Sequence, residues 1–239
     1  MIFNRPHHQR IAKVLESLDG DLLKQRNCLF AGGTAIALRY GEYRESVDID
    51  FLVSDLASYR YLRNSVREQG LQALMKSTDA GQLQTSDIRS DQYGIRTKVF
   101  VEGKPIKFEI VLEGRIGLAK PGKKDSILGV ATLTTLDMAA SKLLANSDRG
   151  LDMGVHCRDV IDLAMLNLNK TEFAQATTKS KAAYGEAILK DLSKVIDMLG
   201  EANGLLERCM KAMDVSVPRA LLWQKISKVK SYTADEILK

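Results

Sequence analysis

FAGGTAIALRYGEYRESVDIDFLV, residues 30–53, is the most informative stretch of the chain. Cys28 to Ala31 is a short apolar run that meets Gly32-Gly33, the pattern of a strand stopping at a glycine turn. Thr34 to Tyr40 reads as a short helix. Val47 to Val53 alternates, with Val47, Ile49, Phe51 and Val53 on one face of a strand and Asp48 and Asp50 on the other. Two carboxylates at i and i+2 point the same way, with Cα atoms roughly 6.5–7 Å apart. Their oxygens are the donors that hard divalent cations prefer. Upstream, the missing side chains of Gly32 and Gly33 let the backbone approach a phosphate closely. The N–H groups of the helix that follows favour an anion. A Gly-Gly turn alone is usually only a turn, and an Asp-x-Asp on an exposed strand face is usually only solvated. Their conjunction supplies a phosphate cradle beside a carboxylate pair, the minimal kit for phosphoryl or nucleotidyl transfer.

Working outward, Pro6 to Arg26 carries Ile11, Val14, Leu15, Leu18, Leu22 and Leu23 at helical spacing, with an interruption near Gly20. His7 and His8 on this segment are expected to be exposed. Ser54 or Asp55 can cap a helix running to about Gln69. Tyr93 to Val101 and Pro105 to Leu112 read as two strands joined through Glu102-Gly103-Lys104. The polar span 76–92 reads equally as a loop or an edge strand. On the second of those strands, Phe108, Ile110 and Leu112 share one face, so Glu109 lies on the other with Lys107 and Val111. Glu109 is therefore the best candidate for a third carboxylate on an adjacent strand, with Glu113 a weaker one.

After the turn-rich segment 120–125 the pattern changes to helical period, over 135–147, 156–167, 171–180, 182–200, 203–213 and 218–229. The expected architecture is α+β: a mixed sheet flanked by helices over residues 1–120, then an all-α bundle over 121–239 packed on it. The 239 residues are 45% hydrophobic and 27% charged, the composition of a soluble globular chain. No stretch suits a membrane span or a signal peptide. Cys28, Cys157 and Cys209 match neither a zinc site nor a disulfide framework, so they read as packing residues of a cytoplasmic protein. The net charge of +5 is uneven: zero over residues 1–53, +4 over 54–131, −2 over 132–169 and +3 over 170–239. Basic flanks permit a polyanionic partner without establishing one.

Gly32-Gly33-Thr34-Ala35 followed by Arg44-x-Ser46-x-Asp48-x-Asp50 resembles the first motif of AbiEii-type nucleotidyltransferases, of the polymerase-β-like superfamily, many of them toxins of toxin–antitoxin pairs. Lys142-x-x-Ala145-x-x-x-Arg149 resembles the family's lysine/arginine helix motif, and Arg158-Asp159-x-x-Asp162-Leu163 its Arg-Asp-x-x-Asp motif. Each motif is weak alone; the set in this order, over residues 30 to 163, is specific. One departure is Tyr43, which stands where members often carry His. The resemblance implies a polymerase-β-like fold and transfer of NMP from an NTP to a hydroxyl acceptor, a tRNA 3′ end, with a cognate antitoxin as partner. It implies Mg²⁺, or Mn²⁺, on Asp48, Asp50 and Glu109. Gly32, Gly33 and Thr34 would then hold the β- and γ-phosphates, and Lys142 and Arg149 would neutralise the triphosphate. Asp48, Asp50, Lys142 and Asp159 would be the catalytic set. Asp159 and Asp162, at i and i+3, either orient those cations or supply a base. Two alternatives stay open: a nucleotidyltransferase acting on a small molecule such as an aminoglycoside, and a binding module that keeps the fold without catalysis.

Overall fold

The computed structural model describes residues 2–77, 83–201 and 204–238. The chain divides into two compact units, Met1–Glu42 with Ser46–Thr134, and Tyr43–Glu45 with Thr135–Lys239. The expected boundary at 120 falls inside the first unit. The reason is a hairpin, β7 (Ser126–Ile127) and β8 (Val130–Ala131), that reads in the sequence only as a turn-rich break. Its exit is tied to strand β1 (Leu29–Ala31): Leu133 N donates to Phe30 O at 3.1 Å, beside a Phe30 to Thr132 bridge.

The first unit is built on a mixed sheet. Strand β1 runs antiparallel to β2 (Ile49–Val53), β2 parallel to β6 (Lys104–Leu112), and β6 antiparallel to β5 (Gly94–Val101). Short strands β3 (Gln84–Thr85) and β4 (Arg89–Ser90) extend β5 at the edge. The ambiguous span 76–92 therefore contributes edge strands, although its residues 78–82 lie outside those described. Helices α1 (Pro6–Ser17), α2 (Gly20–Gln25), α3 (Gly32–Arg39) and α4 (Leu56–Gln69), with a 3-10 turn at Gly70–Leu74, belong to this unit. Asp55 caps α4, its side chain accepting from Ser58 N at 2.7 Å. Alternation produces the core as expected. Ile49, Phe51 and Val53 of β2, and Ile106, Phe108 and Ile110 of β6, are buried. Phe51 stacks at 5.6 Å between centroids on both Phe30 and Phe108. The turn between β5 and β6 is two residues, Glu102 and Gly103, both at positive φ, as the tightest hairpins require.

Two sequence expectations need correction here. Strand β2 begins at Ile49, so Val47 is exposed and Asp48 precedes the strand. His8 is not exposed but buried: its Nδ1 donates to Glu42 Oε1 at 2.8 Å, and its Nε2 accepts from Ser46 N at 3.1 Å. Burial lowers the His8 pKa, with Glu42 opposing the shift, and the neutral ring fits both hydrogen bonds.

Among its described residues the second unit has only helices: α5 (Thr135–Arg149), α6 (Arg158–Met165), α7 (Lys170–Tyr184), α8 (Ala187–Glu201), α9 (Leu205–Ala212) and α10 (Arg219–Ile237), with a short 3-10 turn at Met153–Val155. The expected helix start at 203 lies outside the described residues. Helix α7 opens with a capping box between Asn169 and Glu172, an exchange that satisfies two backbone donors. Helix α10 outruns its expected end at 229 because Thr233 is buried and Tyr232 stacks on Phe173 at 5.9 Å. All three cysteines are buried and reduced, in keeping with a packing role.

Candidate active site

In the first unit, one cross-strand row collects the chemistry. Ala31 of β1, Asp50 of β2, Glu109 of β6 and Arg96 of β5 are successive register partners. Asp50 and Glu109 are thus neighbours on one face of the sheet, opposite the phenylalanine core. Asp48, Asp50 and Glu109 are each partly buried. Helix α3 starts where β1 ends, so Gly32 sits directly against Asp50. A Cβ at Gly32 would lie 2.5 Å from Asp50 Oδ2, and the residue's φ of +72° is one that side chains disfavour. Only glycine leaves this space open beside the carboxylate. No side chain caps α3, since Ala31 occupies that position. The start of α3, where backbone N–H groups point out of the helix, is the arrangement that suits an anion. Thr34 differs from the glycines. It is buried, and its Oγ1 donates to Ser46 Oγ at 2.8 Å.

The donor set of Asp48 and Asp50, next to a cradle that a Cβ would fill, fits a hard divalent cation. Glu109 is otherwise engaged: Lys107 Nζ lies 2.9 Å from Oε2 and Arg96 Nε 3.3 Å from Oε1. Partial burial works against the Lys107 ammonium. The Glu109 carboxylate, and then the charges of Asp48 and Asp50, outweigh it and raise the Lys107 pKa. Glu113, the weaker third candidate, is spent on Arg115, whose Nη2 lies 2.8 Å from Oε2. Sequence reasoning placed Lys107 on the face of Glu109 but gave it no role, although a lysine two residues before a candidate ligand carboxylate was the available signal. His8 reads as exposed in the sequence, and Arg96 has no local signal there. His7 and His8 brace the segment before Asp48, since His7 Nε2 also bonds Val47 O at 2.9 Å.

In the second unit, the lysine/arginine face of α5 meets the two aspartates of α6. Lys142 Nζ lies 2.9 Å from Asp159 Oδ1 and 2.6 Å from Asp162 Oδ2. Arg149 holds Asp159 with two bonds, Nε to Oδ2 at 2.8 Å and Nη2 to Oδ1 at 3.1 Å. Arg44 likewise forks onto Asp162 at 2.6 and 2.8 Å, and Tyr43 Oη donates to the same carboxylate at 2.6 Å. The Lys142 side chain is only 5% exposed, whereas that of Arg149 is 39% exposed. Three cations against two carboxylates leave the network with an excess of one positive charge, and Arg149 is the member within reach of solvent.

Burial opposes ionisation of Asp159. The charge of Lys142 and the fork of Arg149 overcome it and hold the carboxyl well below the usual range. Asp162 is lowered in the same way by Arg44 and Lys142. A carboxylate so held is a poor proton acceptor, which favours the orienting role over the base. Tyr43 goes the other way: burial and the Asp162 charge push its phenol up, so it remains a donor. Depressed carboxyl values contribute stability that is complete above the unfolded range, about pH 4, and is lost as pH falls through the folded values. Acid unfolding followed by far-UV circular dichroism is therefore expected to show a steep loss of stability below about pH 4, and a shallower one in Asp159→Asn. Equal slopes would contradict the assignment.

Among the described residues no helix is long and apolar enough to cross a membrane. No curated protein matches the chain in sequence. Among solved structures, JHP933 from Helicobacter pylori is similar at 14% identity and a TM-score of 0.54, over 98% of this chain and 92% of that one. MenT4, a nucleotidyltransferase toxin from Mycobacterium tuberculosis, is similar at 16% identity and a TM-score of 0.48, over 97% and 86%. The likeness to JHP933 is one of fold alone. The family described as nucleotidyl transferase AbiEii toxin, type IV TA system, matches residues 14–227. Nucleotidyltransferases of this kind take an NTP as substrate, usually with a divalent metal, and the toxin–antitoxin setting brings an antitoxin partner. With the match running over most of its length, the chain belongs to the AbiEii family of nucleotidyltransferase toxins.

Proposed function

We propose that the protein transfers NMP from an NTP to the 3′ end of a tRNA, with Mg²⁺ held by Asp48 and Asp50 and, once it is released from its cations, Glu109. The observation that carries this reading is Gly32 pressed against the Asp50 carboxylate, itself in register with Glu109. Such a metal supplies charge stabilisation at the attacking and leaving oxygens. The chain's own residues do the rest. Gly32 and Gly33 offer the N–H groups at the start of α3 to the β- and γ-phosphates, and Thr34 fixes the turn through Ser46. On the family's lysine/arginine motif, Lys142 and Arg149 neutralise the triphosphate, Arg149 being partly exposed. Asp159 acts through both as a positioning residue. An acceptor hydroxyl oxygen then bonds the α-phosphorus as the bond from that phosphorus to the bridging oxygen breaks, pyrophosphate leaves, and the hydroxyl proton passes to solvent.

Support for an RNA acceptor comes from charge: Arg96, Lys98 and Lys107 flank the carboxylates on β5 and β6, and Lys98 faces Lys107 across the hairpin. Incubation with labelled NTPs against total RNA, purified tRNA and aminoglycosides tests the acceptor. Label on tRNA is expected; label on the small molecules alone would overturn the tRNA reading. The cradle has its own test. Gly32→Ala places a methyl on Asp50 at a φ that costs about 1–2 kcal/mol. It is expected to lower transfer at least about a hundredfold, since the metal's stabilisation of several kcal/mol depends on that carboxylate's place. Unchanged transfer would show that the Gly32 and Asp50 contact is incidental.

A further inference from the structure

Glu109 occupies the register position beside Asp50 where a third metal-ligating carboxylate belongs, yet both of its oxygens already face cations. In keeping with this, among the described residues no three His, Cys, Asp or Glu side chains are gathered closely enough to hold a metal ion by themselves. The two cations on Glu109 are not equivalent. Arg96 is shared with Asp91, which it meets at 3.3 Å, and its contact with Glu109 is equally long. Lys107 makes the close contact, 2.9 Å, and lies in the field of Asp48 and Asp50 as well.

We propose that Lys107 is the internal counter-ion of the carboxylate cluster, and that a divalent cation gains Glu109 only by displacing the Lys107 ammonium. The inference rests on the reading of Asp48 and Asp50 as the metal-binding pair. Asp50 and Glu109 on one sheet face, with Asp48 just before the strand, repel one another, and a fixed monovalent cation offsets part of that repulsion when no metal is bound. Lysine suits the task because its charge is compact and sits on a flexible stem. The Lys107 side chain is 51% exposed, so it can withdraw into solvent without opening the core. Arginine at the same place could keep the charge. An uncharged side chain could not, and would leave Glu109 to Arg96 alone. Lys107 thereby sets the metal affinity of the site below what its carboxylates would otherwise give.

The test is Mn²⁺ binding to the nucleotide-free full chain, read from loss of the free-ion electron paramagnetic resonance signal. Circular dichroism confirms that each variant is folded. Lys107→Met is expected to bind Mn²⁺ about tenfold more tightly than the unsubstituted protein, since one opposing charge is gone. Lys107→Arg is expected to stay near the original affinity, and Arg96→Gln to change it less than Lys107→Met does. Equal or weaker binding in Lys107→Met would overturn the proposal. Asp50→Asn, alone and combined with Lys107→Met, separates the two levels. If it abolishes binding in both, the metal reading holds and the comparison of Lys107 variants decides this inference. If binding survives Asp50→Asn, Mn²⁺ sits elsewhere, and the metal reading falls together with the proposal.

Discussion

Asp50→Asn, and separately Asp48→Asn, are expected to lower nucleotidyl transfer at least about a thousandfold, the effect of losing about 4 kcal/mol of metal-borne charge stabilisation. Stability should change little. The substitution keeps the side-chain shape, and the strand is held by Ile49, Phe51 and Val53 in the core and by ladders to β1 and β6. The expected signature is a large fall in kcat with a nearly unchanged melting temperature. A fall in both together would mean that the carboxylates serve packing. Gly32→Ala differs in mechanism, because it leaves the carboxylate present but displaced.

Asp162→Ala is expected to destabilise the helical unit by about 3–5 kcal/mol, the cost of leaving buried partner charges without their counter-ion. Asp162 is fully buried and accepts from Tyr43, from both arms of the Arg44 fork and from Lys142. Its removal takes from Arg44 its carboxylate and leaves it the Glu45 carbonyl, which carries no charge, whereas Lys142 keeps Asp159. At the ordinary entropy of unfolding for a chain of this size, the melting temperature should fall by about 10 °C. A change within experimental error would show that water reaches Arg44 and that the network is not sealed. Asp159→Ala should cost less stability, because Arg149 is partly exposed and can be solvated. It should cost more activity, because it frees the cations assigned to the triphosphate.

The local part of this site was legible in the sequence. Alternation in Val-Asp-Ile-Asp-Phe-Leu-Val placed Asp50 opposite the core, and alternation in Ile-Lys-Phe-Glu-Ile placed Glu109 likewise. Both follow from the two-residue period of a strand, which needs no tertiary information. The start of β2 was not legible, because a β-branched valine at 47 has the right chemistry for a strand and merely lacks a partner there. Long-range pairing was the larger omission. Tyr43 and Arg44 find Asp162 more than a hundred residues away, and no local pattern announces that. His8 reads as an exposed terminal residue until Glu42 and Ser46 are seen to close over it. The β7–β8 hairpin is two residues per strand, too short for periodicity to show. Lys107 was visible at its position, but its meaning depends on which carboxylates share its surroundings.

Nucleotidyl transfer is assigned to Asp50 and Glu109 in register beside Gly32, with Asp48 just before the strand. Parallel incubations with α-labelled and γ-labelled NTP, using the unsubstituted protein and Asp50→Asn with RNA as acceptor, decide this assignment. The expected result is α-label joined to RNA with an equal release of pyrophosphate, γ-label leaving with that pyrophosphate, and neither event in Asp50→Asn. Undiminished α-label transfer by Asp50→Asn, or γ-label appearing on the acceptor, would contradict it.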